Sequence, residues 1–283
     1  MLYVVATPIG NLGDMSQRAV DVLKEVDLIA AEDTRVTMKL LNHFDIRTPL
    51  TSLHAFNEET KGAALVRRMV EEGISVALVT DAGTPAVSDP GSLLIAEAIK
   101  QGIPVSPVPG ASAAIAAVSV CGFTNKEFTF IGFLERSKKA QKERLEALRG
   151  QAQTVVLYES PFRALETLEN ISEVYPNIQV VACRDLTKKF EEYVRGTPDS
   201  VHMQLQNNPN HTKGEYVLVL DLSKEKEIEQ ESDNDNLSLE AQLIDRMVKE
   251  EETLREAMDA LVKQGGNRNM LYQAQLTLKR IFE

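Results

Sequence analysis

The sequence predicts an α/β protein made of two tandem α/β domains and a small C-terminal helical domain. Three observations support this prediction. Short apolar runs alternate with amphipathic stretches through residue 120, the pattern of a parallel sheet with crossover helices. In residues 121–222 several late apolar runs follow one another without long helices between them, which favours a mixed sheet. After residue 236 only helical periodicity continues.

The first domain is expected to span residues 1–120. Residues 75–80 form its most continuous apolar run, as expected for a strand covered on both faces of its sheet. Pro109-Gly110 marks the start of a helix rich in small residues. The expected strands are 2–6, 27–30, 75–80 and 104–108. The expected helices are 16–26, 36–43, 58–72, 91–100 and 111–120.

The second domain is expected to span residues 121–222, with a linker and a helical domain after it. Residues 223–236 are interpreted as a flexible acidic linker, because residues 225–235 hold six acids and one lysine. Residues 237–283 then form a small helical domain around Gly265-Gly266. The expected strands of the second domain are 128–132, 154–158, 179–184, 190–195 and 215–222. The expected helices of both regions are 138–149, 163–174, 198–206, 238–262 and 268–282.

Composition limits the classes of function. The net charge of −11 weighs against indiscriminate binding of nucleic acid, although residues 136–149 carry six basic residues and two acids. The two cysteines and four histidines show no metal-ligand spacing, so no metal is expected. No apolar run approaches the ~18 residues of a membrane span, and the N-terminus has no signal-peptide pattern. We therefore expect a cytoplasmic protein with no membrane association.

Three glycine-containing loops follow predicted strands of the first domain. The first contains Thr7, Pro8 and Gly10, the second runs from Thr80 to Gly91, and the third contains Gly110. Such loops let a ligand approach the backbone, and ligands of open α/β sheets bind beyond the carboxyl ends of the strands. Each loop also fits a structural interpretation, as a tight turn, a set of caps at Asp81 and Asp89, or close helix–sheet packing.

Charged residues follow three other predicted strands. Ala31-Glu32-Asp33-Thr34-Arg35 places two carboxylates and an arginine at the same edge, although Asp33 or Thr34 could simply cap a helix. In the second domain, two segments end strands with charged side chains, of which the basic ones suit an anionic substrate or belong to a solvated rim. Those side chains are Glu159, Arg163, Arg184, Lys188 and Lys189.

The chain contains eight characteristic segments, in the order ATPIGNLGD, AEDTR, LHAFNEE, TDAGTPAVSDPG, VPGASAA, YESPFR, RDLTKKFEEYVRG and KGEYVLV. Together they resemble the ribosomal RNA small subunit methyltransferase I family of the tetrapyrrole-methylase-like class. The resemblance covers roughly residues 2–222 and extends weakly into the C-terminal helices. Asp185 and Phe162 depart from the family pattern, which usually has Glu and His there.

The resemblance implies a fold, a reaction and a set of site residues. It implies two α/β domains with S-adenosyl-L-methionine in the cleft between them and a homodimer. The implied reaction is methyl transfer to the 2′-hydroxyl of a cytidine in the decoding region of 16S rRNA, within the small ribosomal subunit. The implied cofactor-binding residues are Thr7, Pro8, Gly10, Asp81, Gly83, Thr84, Ala111 and Ser112.

Transfer to a ribose hydroxyl requires a base or a positive charge that stabilises the developing alkoxide. The candidates for the base are Glu32 and Glu159, and the candidates for the positive charge are Arg35 and Lys188. His54 is less favoured, because a lone histidine after a strand is usually structural. RNA phosphates would be contacted by basic residues in several segments. These are the helix 136–149, Lys188, Lys189, Lys263, Arg268, Lys279 and Arg280.

Other functions stay open at this point. The same chemistry could act on a precorrin-like tetrapyrrole or on a modified protein side chain. The glycine loops could also belong to a nucleotide- or anion-binding module without catalysis. Metal-dependent hydrolysis is disfavoured because no carboxylate and histidine cluster has ligand spacing.

Overall fold

The computed structural model describes residues 1–123, 126–225, 238–250, 252–263 and 266–282. The chain divides into two compact units, residues 1–225 and 226–283. The first unit contains two five-stranded sheets, and the second contains helices. The predicted α/β fold class is therefore confirmed. In the described part of the chain, the helices are too short or too polar to cross a membrane.

The first sheet is wholly parallel, with the strand order β3-β2-β4-β1-β5. Its strands are β1 Leu2–Val5, β2 Leu28–Ala31, β3 Leu50–Ser52, β4 Val76–Val79 and β5 Val105–Val108. No strand was predicted at β3, because three residues are too few to show a periodicity. This edge strand forms because Leu50, Thr51 and Ser52 pair with Ile29, Ala30 and Ala31 of β2.

Five helices follow these strands, and buried residues form a core on each face of the sheet. The helices are α1 Gln17–Glu25, α2 Thr34–His43, α3 Glu58–Glu72, α4 Ser92–Lys100 and α5 Ala113–Val120. Ser16 and Asp33 cap α1 and α2, because their side chains accept hydrogen bonds from backbone N–H groups of the first turn. The loops between the strands and these helices lie at one edge of the sheet.

A buried carboxylate caps α4 from a neighbouring helix. Glu58, in the first turn of α3, accepts hydrogen bonds from the N–H groups of Gly91 (2.9 Å) and Leu93 (2.7 Å). These N–H groups lie at the start of α4, where the helix dipole also favours a negative charge. The side chain of Glu58 therefore ties α3 to the end of the long loop between β4 and α4.

The second sheet is mixed, as the sequence predicted, with the strand order β6-β7-β10-β8-β9. Its strands are β6 Thr129–Phe133, β7 Thr154–Glu159, β8 Gln179–Arg184, β9 Glu192–Gly196 and β10 Tyr216–Asp221. The three helices of this half are α6 Lys138–Glu146, α7 Ala164–Val174 and α8 Pro198–Gln206. Since β10 runs antiparallel to both β7 and β8, the carboxyl ends of β7 and β8 lie at the same edge.

Helix α5 joins the two sheets. It follows β5 of the first sheet, but Ala114 and Ala117 are buried in a core made largely by one face of the second sheet. The N–H of Ala114 donates to the hydroxyl of Tyr158 on β7 (3.2 Å). At the other end, the guanidinium of Arg195 on β9 donates to the carbonyl of Val120 (2.7 Å). Both ends of α5 are therefore bonded to the second sheet.

The described residues of the second unit form three helices, α9 Leu239–Lys249, α10 Leu254–Lys263 and α11 Arg268–Phe282. The prediction of one helix over 238–262 is therefore wrong. Thr253 and Glu256 form a capping box that begins α10, since each side chain bonds to the backbone N–H of the other. The S/T-x-x-E pattern was present in the sequence. Most of the predicted acidic linker, residues 226–236, lies outside the described residues.

We expect Glu58→Ala to lower the free energy of unfolding by about 2 kcal/mol, because it removes a charged acceptor from buried N–H groups. Urea unfolding measures the change. Glu59→Ala is the matched control, since Glu59 is the next residue and is exposed. Equal stability of the two variants would contradict the role of Glu58 as a cap.

Candidate active site

A cleft of about 440 Å³ lies where the loops of the first sheet meet the carboxyl edge of β7 and β8. Its volume falls within the ~300–1,000 Å³ of typical ligand pockets. Residues from both halves of the first unit line it. Those from the first half are Ile9, Glu32, Asp81, Ala82, Gly83, Thr84, Val87, Ser88, Asp89, Ser112 and Ala113. Those from the second half are Phe133, Tyr158, Glu159, Ser160, Pro161, Leu186, Glu215, Tyr216 and Val217.

Backbone hydrogen bonds hold the first two glycine loops together. Thr7 and Gly83 bond to each other through both their N–H and carbonyl groups, at 2.9 and 3.1 Å. The buried hydroxyl of Thr7 donates to the carbonyl of Thr80 (3.1 Å). Thr7 therefore positions the loops. Gly83, at a φ of +86°, adopts a conformation that favours glycine.

The loop from Thr80 to Gly91 has an unusual backbone. Ala86 and Ser88 have φ values of +65° and +66°, a left-handed conformation that costs non-glycine residues free energy. Gly91 has a φ of +132°, and a Cβ there would lie 2.6 Å from a methyl of Leu78. With this backbone conformation, Val87, Ser88 and Asp89 form part of the wall of the cleft.

Three carboxylates line the cleft, at Glu32, Asp81 and Asp89. Glu32 accepts a hydrogen bond from the hydroxyl of Thr80 (2.6 Å), and Asp81 accepts one from the N–H of Asp33 (3.1 Å). Burial, and then the charge of Glu32, raise the pKa of Asp89 to about 6. Burial also raises the pKa of Asp81. The cluster therefore concentrates negative charge and suits a cationic ligand.

From the sequence, the only role predicted for the Asp89 side chain was that of a helix or turn cap. The structure places it in the cleft instead, because the backbone between Ala86 and Gly91 turns back toward Thr80. One signal was available, since Asp89 lies in the same proline- and glycine-containing loop as Asp81. The left-handed residues that aim it inward have no recognisable sequence pattern.

The third glycine loop closes one side of the cleft. The hydroxyl of Thr84 donates to the carbonyl of Ala111 (3.4 Å), and Ser112 lines the cavity. A Cβ at Gly110 would lie 3.0 Å from the Cβ of Ala6, so this loop packs closely on the end of β1. Burial raises the pKa of the Tyr158 hydroxyl, which accepts from the N–H of Ala114 at the start of α5.

Glu159 lines the cleft, but its side chain is fully buried. Its carboxylate accepts hydrogen bonds from the N–H of Ser160 (2.7 Å) and the hydroxyl of Thr167 (2.7 Å). The Nε of Arg163 lies 3.6 Å from it. With its oxygens engaged in this way, Glu159 holds the end of β7 against α7.

The two predicted cations are both already paired with carboxylates. Arg35 forms a bidentate ion pair with Asp33, and its side chain is 88% exposed. Lys188 bonds to Asp185 (2.8 Å) and to Glu215 (2.9 Å). A Cβ at Gly10 would lie 2.5 Å from the Cγ of Lys188, so Lys188 packs directly over the first glycine loop.

A second cavity, of about 330 Å³, adjoins the cleft. It shares Ile9, Asp81, Ala82 and Glu215 with the cleft. The rest of its wall comes from the first glycine loop, one face of α2, Thr80 and Lys188. Those residues of the loop and of α2 are Thr7, Pro8, Gly10, Leu12, Val36, Thr37, Lys39 and Leu40. The predicted site residues other than Arg35 and Ala111 thus line one or both of two neighbouring cavities.

Residues 1–201 match the family model described as Tetrapyrrole (Corrin/Porphyrin) Methylases. The chain is 49% identical over 221 residues to ribosomal RNA small subunit methyltransferase I of Halalkalibacterium halodurans, covering 78% of this chain and 75% of that protein. It is 40% identical over 276 residues to the protein of the same name from Haemophilus influenzae, covering 96% and 95%. The chain belongs to the ribosomal RNA small subunit methyltransferase I family. Membership confirms the resemblance and the predicted methyltransferase class.

Solved structures of two other enzymes share the fold. A diphthine synthase superposes with a TM-score of 0.60 at 17% identity, over 78% of this chain and 88% of that chain. A cobalt precorrin-4 methyltransferase superposes with a TM-score of 0.56 at 17% identity, over 77% and 93%. At this identity the likeness concerns the fold of the two sheets.

The pKa of Asp89 predicts how stability depends on pH. A carboxyl whose folded pKa is raised from 3.8 to about 6 binds its proton more tightly in the folded protein than in the unfolded chain. The wild type should therefore lose stability relative to Asp89→Asn as pH rises from 4 to about 6. We expect melting curves of the two proteins to coincide near pH 4 and Asp89→Asn to melt higher at pH 7. A difference in melting temperature between the two proteins that stays constant from pH 4 to pH 7 would contradict the raised pKa of Asp89.

Proposed function

We propose that this chain transfers a methyl group from S-adenosyl-L-methionine to the 2′-hydroxyl of a cytidine in the decoding region of 16S rRNA, within the small ribosomal subunit. The carboxylate-lined cleft between the loops of the two sheets carries the proposal, together with membership of a family named for this RNA. The chain acts as a homodimer in the cytoplasm, where ribosomal subunits are assembled.

The residues of the cleft fit this cofactor. S-Adenosyl-L-methionine supplies, when bound, a methyl group already activated by a sulfonium cation. Asp81 and Asp89 provide negative charge and hydrogen-bond acceptors for a cationic ligand with hydroxyl groups. The apolar side chains of the cleft can cover a flat base. These are Ile9, Ala113, Phe133, Leu186 and Val217.

The predicted cofactor-binding residues have different tasks in this proposal. Asp81, Gly83, Thr84 and Ser112 line the cleft and contact the cofactor directly. The other four shape the loops or line the neighbouring cavity, as the bonds of Thr7 to Thr80 and Gly83 illustrate. Those four are Thr7, Pro8, Gly10 and Ala111. The chain's contribution is to hold the reacting groups in line and to exclude water.

Glu32 is the proposed general base. It lies in the cleft, and the hydroxyl of Thr80 orients its carboxylate from one side (2.6 Å). Glu159 is a positioning residue, because its oxygens are buried and bonded to Ser160 and Thr167. The paired Lys188 and the exposed Arg35 belong to the substrate side, where they approach RNA rather than the developing alkoxide.

RNA phosphates are contacted by basic side chains outside the cleft. The lysines of α6 already have acidic neighbours, since Lys138 lies 3.6 Å from Glu166 and Lys142 pairs with Glu173. This balance of charge weakens the contribution expected from α6. Lys189 lies over the ring of Phe190 (5.4 Å), an exposed aromatic on which a base can stack.

The deciding experiment measures transfer of a radiolabelled methyl group. Small ribosomal subunits from cells that lack this protein, 16S rRNA alone and a tetrapyrrole precursor are tested in parallel. We expect label in the subunits, recovered as an alkali-resistant dinucleotide because a 2′-O-methyl group blocks alkaline cleavage. Label in the tetrapyrrole, or in none of the three despite measured cofactor binding, would refute the proposed substrate.

Glu32→Gln tests the proposed base. The turnover number should fall by roughly 10²–10⁴, the usual contribution of a general base, while the dissociation constant of S-adenosyl-L-methionine changes by less than about fivefold. Glu159→Gln is the comparison. It should lower the melting temperature, with only a small effect on the turnover number of the folded protein. Near-wild-type turnover of Glu32→Gln with intact cofactor binding would eliminate Glu32 as the base.

A further inference from the structure

Phe133 and Val87 form an apolar rim at the exposed part of the cleft wall. Both side chains line the cleft, and they are 57% and 45% exposed. Leu186 and Val217 line the cleft too, but both are buried. A single exposed apolar side chain is ordinary, whereas two that line one cavity mark a surface on which an apolar ligand group removes area from water. The rim is therefore suited to an apolar part of a ligand.

Irregular backbone places both side chains at the rim. Phe133 follows Gly132, which has a φ of +65°, and the pairing of β6 with β7 shifts register between Phe130 and Phe133. Such irregularities redirect a side chain and are frequent beside active sites. Val87 lies between the two left-handed residues of the loop from Thr80 to Gly91. Backbone strain of this kind is concentrated at ligand-binding sites, so it points to a function for the side chain that it presents.

The two halves of the first unit meet at this rim. A Cβ at Gly132 would lie 3.0 Å from the Oγ of Ser88, so β6 packs directly on the loop that carries Val87. The ring of Phe133 lies in a T-shaped contact with the ring of Tyr158, with the centroids 5.7 Å apart. Tyr158 is itself bonded to the first turn of α5. Packing therefore fixes the ring of Phe133, although more than half of the residue stays exposed.

The position of the rim indicates which ligand covers it. In the proposed reaction the cofactor lies among the carboxylates of the cleft, and the acceptor oxygen must approach its methyl group in line with the sulfur. The acceptor nucleotide therefore enters past the exposed part of the cleft wall. Its phosphate is repelled by the carboxylates of Asp81 and Asp89, whereas its base offers a flat, uncharged face. Bases of single-stranded RNA are commonly stacked on aromatic side chains.

We propose that the rim holds the base of the target nucleotide, with one face of the base stacked on the ring of Phe133 and with Val87 in contact beside it. The buried apolar side chains of the cleft, including Leu186 and Val217, remain for the adenine of the cofactor. Because stacking tolerates any base, the rim positions the nucleotide and does not select it. This inference rests on the proposed function, since it assumes that RNA is the substrate.

Phe133→Leu tests the stacking contact, because it keeps an apolar side chain and removes the ring. The value of kcat/KM for small ribosomal subunits should fall about 10-fold or more, while the dissociation constant of S-adenosyl-L-methionine stays within about twofold. Phe133→Tyr keeps the ring and should retain kcat/KM within about threefold. Phe128→Leu is the matched control and should have wild-type kinetics. Phe128 is 39% exposed, directly precedes β6 and lines neither cavity.

A fluorescent side chain at residue 133 tests the contact directly. The chain has no tryptophan, so Phe133→Trp produced with 5-hydroxytryptophan carries one indole that is excited apart from the tryptophans of the ribosomal proteins. We expect small ribosomal subunits to quench its emission when S-adenosyl-L-homocysteine is also bound, because a stacked base quenches an indole. S-Adenosyl-L-homocysteine alone should leave the emission nearly unchanged.

The possible outcomes are distinguishable. Unchanged kcat/KM in Phe133→Leu, or no quenching by subunits at a concentration that saturates turnover of the fluorescent variant, would overturn the inference while leaving the proposed function intact. Weaker cofactor binding in Phe133→Leu, or quenching by S-adenosyl-L-homocysteine alone, would overturn it by assigning the ring to the cofactor. Absence of transfer to small subunits by the wild-type protein, measured in the same assay, would instead refute the proposed function and this inference with it.

Discussion

The packing of α5 against the second sheet is the interaction on which the site depends. This helix belongs to the first half by chain order, yet its buried face of Ala114 and Ala117 lies in the core of the second half. Alanine allows the helix to lie close to the strands, and hydrogen bonds from Ala114 to Tyr158 and from Arg195 to Val120 fix both ends. Because the loop before α5 is also bonded to Thr84, the two carboxyl edges face each other across one cleft.

Local structure and burial divide the predicted site residues by task. The sequence predicted Thr7 as a cofactor-binding residue and Glu159 as a candidate base. Both side chains are buried, and both form hydrogen bonds with neighbouring residues of the chain. Glu32 and Asp81 line the cleft, and the carboxylate of each accepts a hydrogen bond from a neighbouring residue. A residue type and a strand end could be inferred from the sequence, but the direction of the side chain follows from packing that no local pattern specifies.

The sequence predicted the fold where periodicity was strong. The helix at 58–72 and the strand at 179–184 have the bounds that were expected, and the mixed character of the second sheet followed from strands without intervening helices. It missed β3, which depends on pairing with β2, and merged α9 with α10 despite the capping box at Thr253. The position of Asp89 in the cleft depends on the left-handed backbone conformation of Ala86 and Ser88. Alanine and serine do not favour that conformation, so the sequence did not indicate it.

Several unfavourable features of the first unit surround the cleft. Left-handed non-glycine residues lie at Ala86 and Ser88, and again at Asp185 and Thr187 on either side of Leu186 in the cleft wall. The carboxylates of Glu32, Asp81 and Asp89 also line the same cleft. Folding alone favours none of these arrangements, so the rest of the unit must stabilise them. A cationic ligand bound among these carboxylates relieves the repulsion between them.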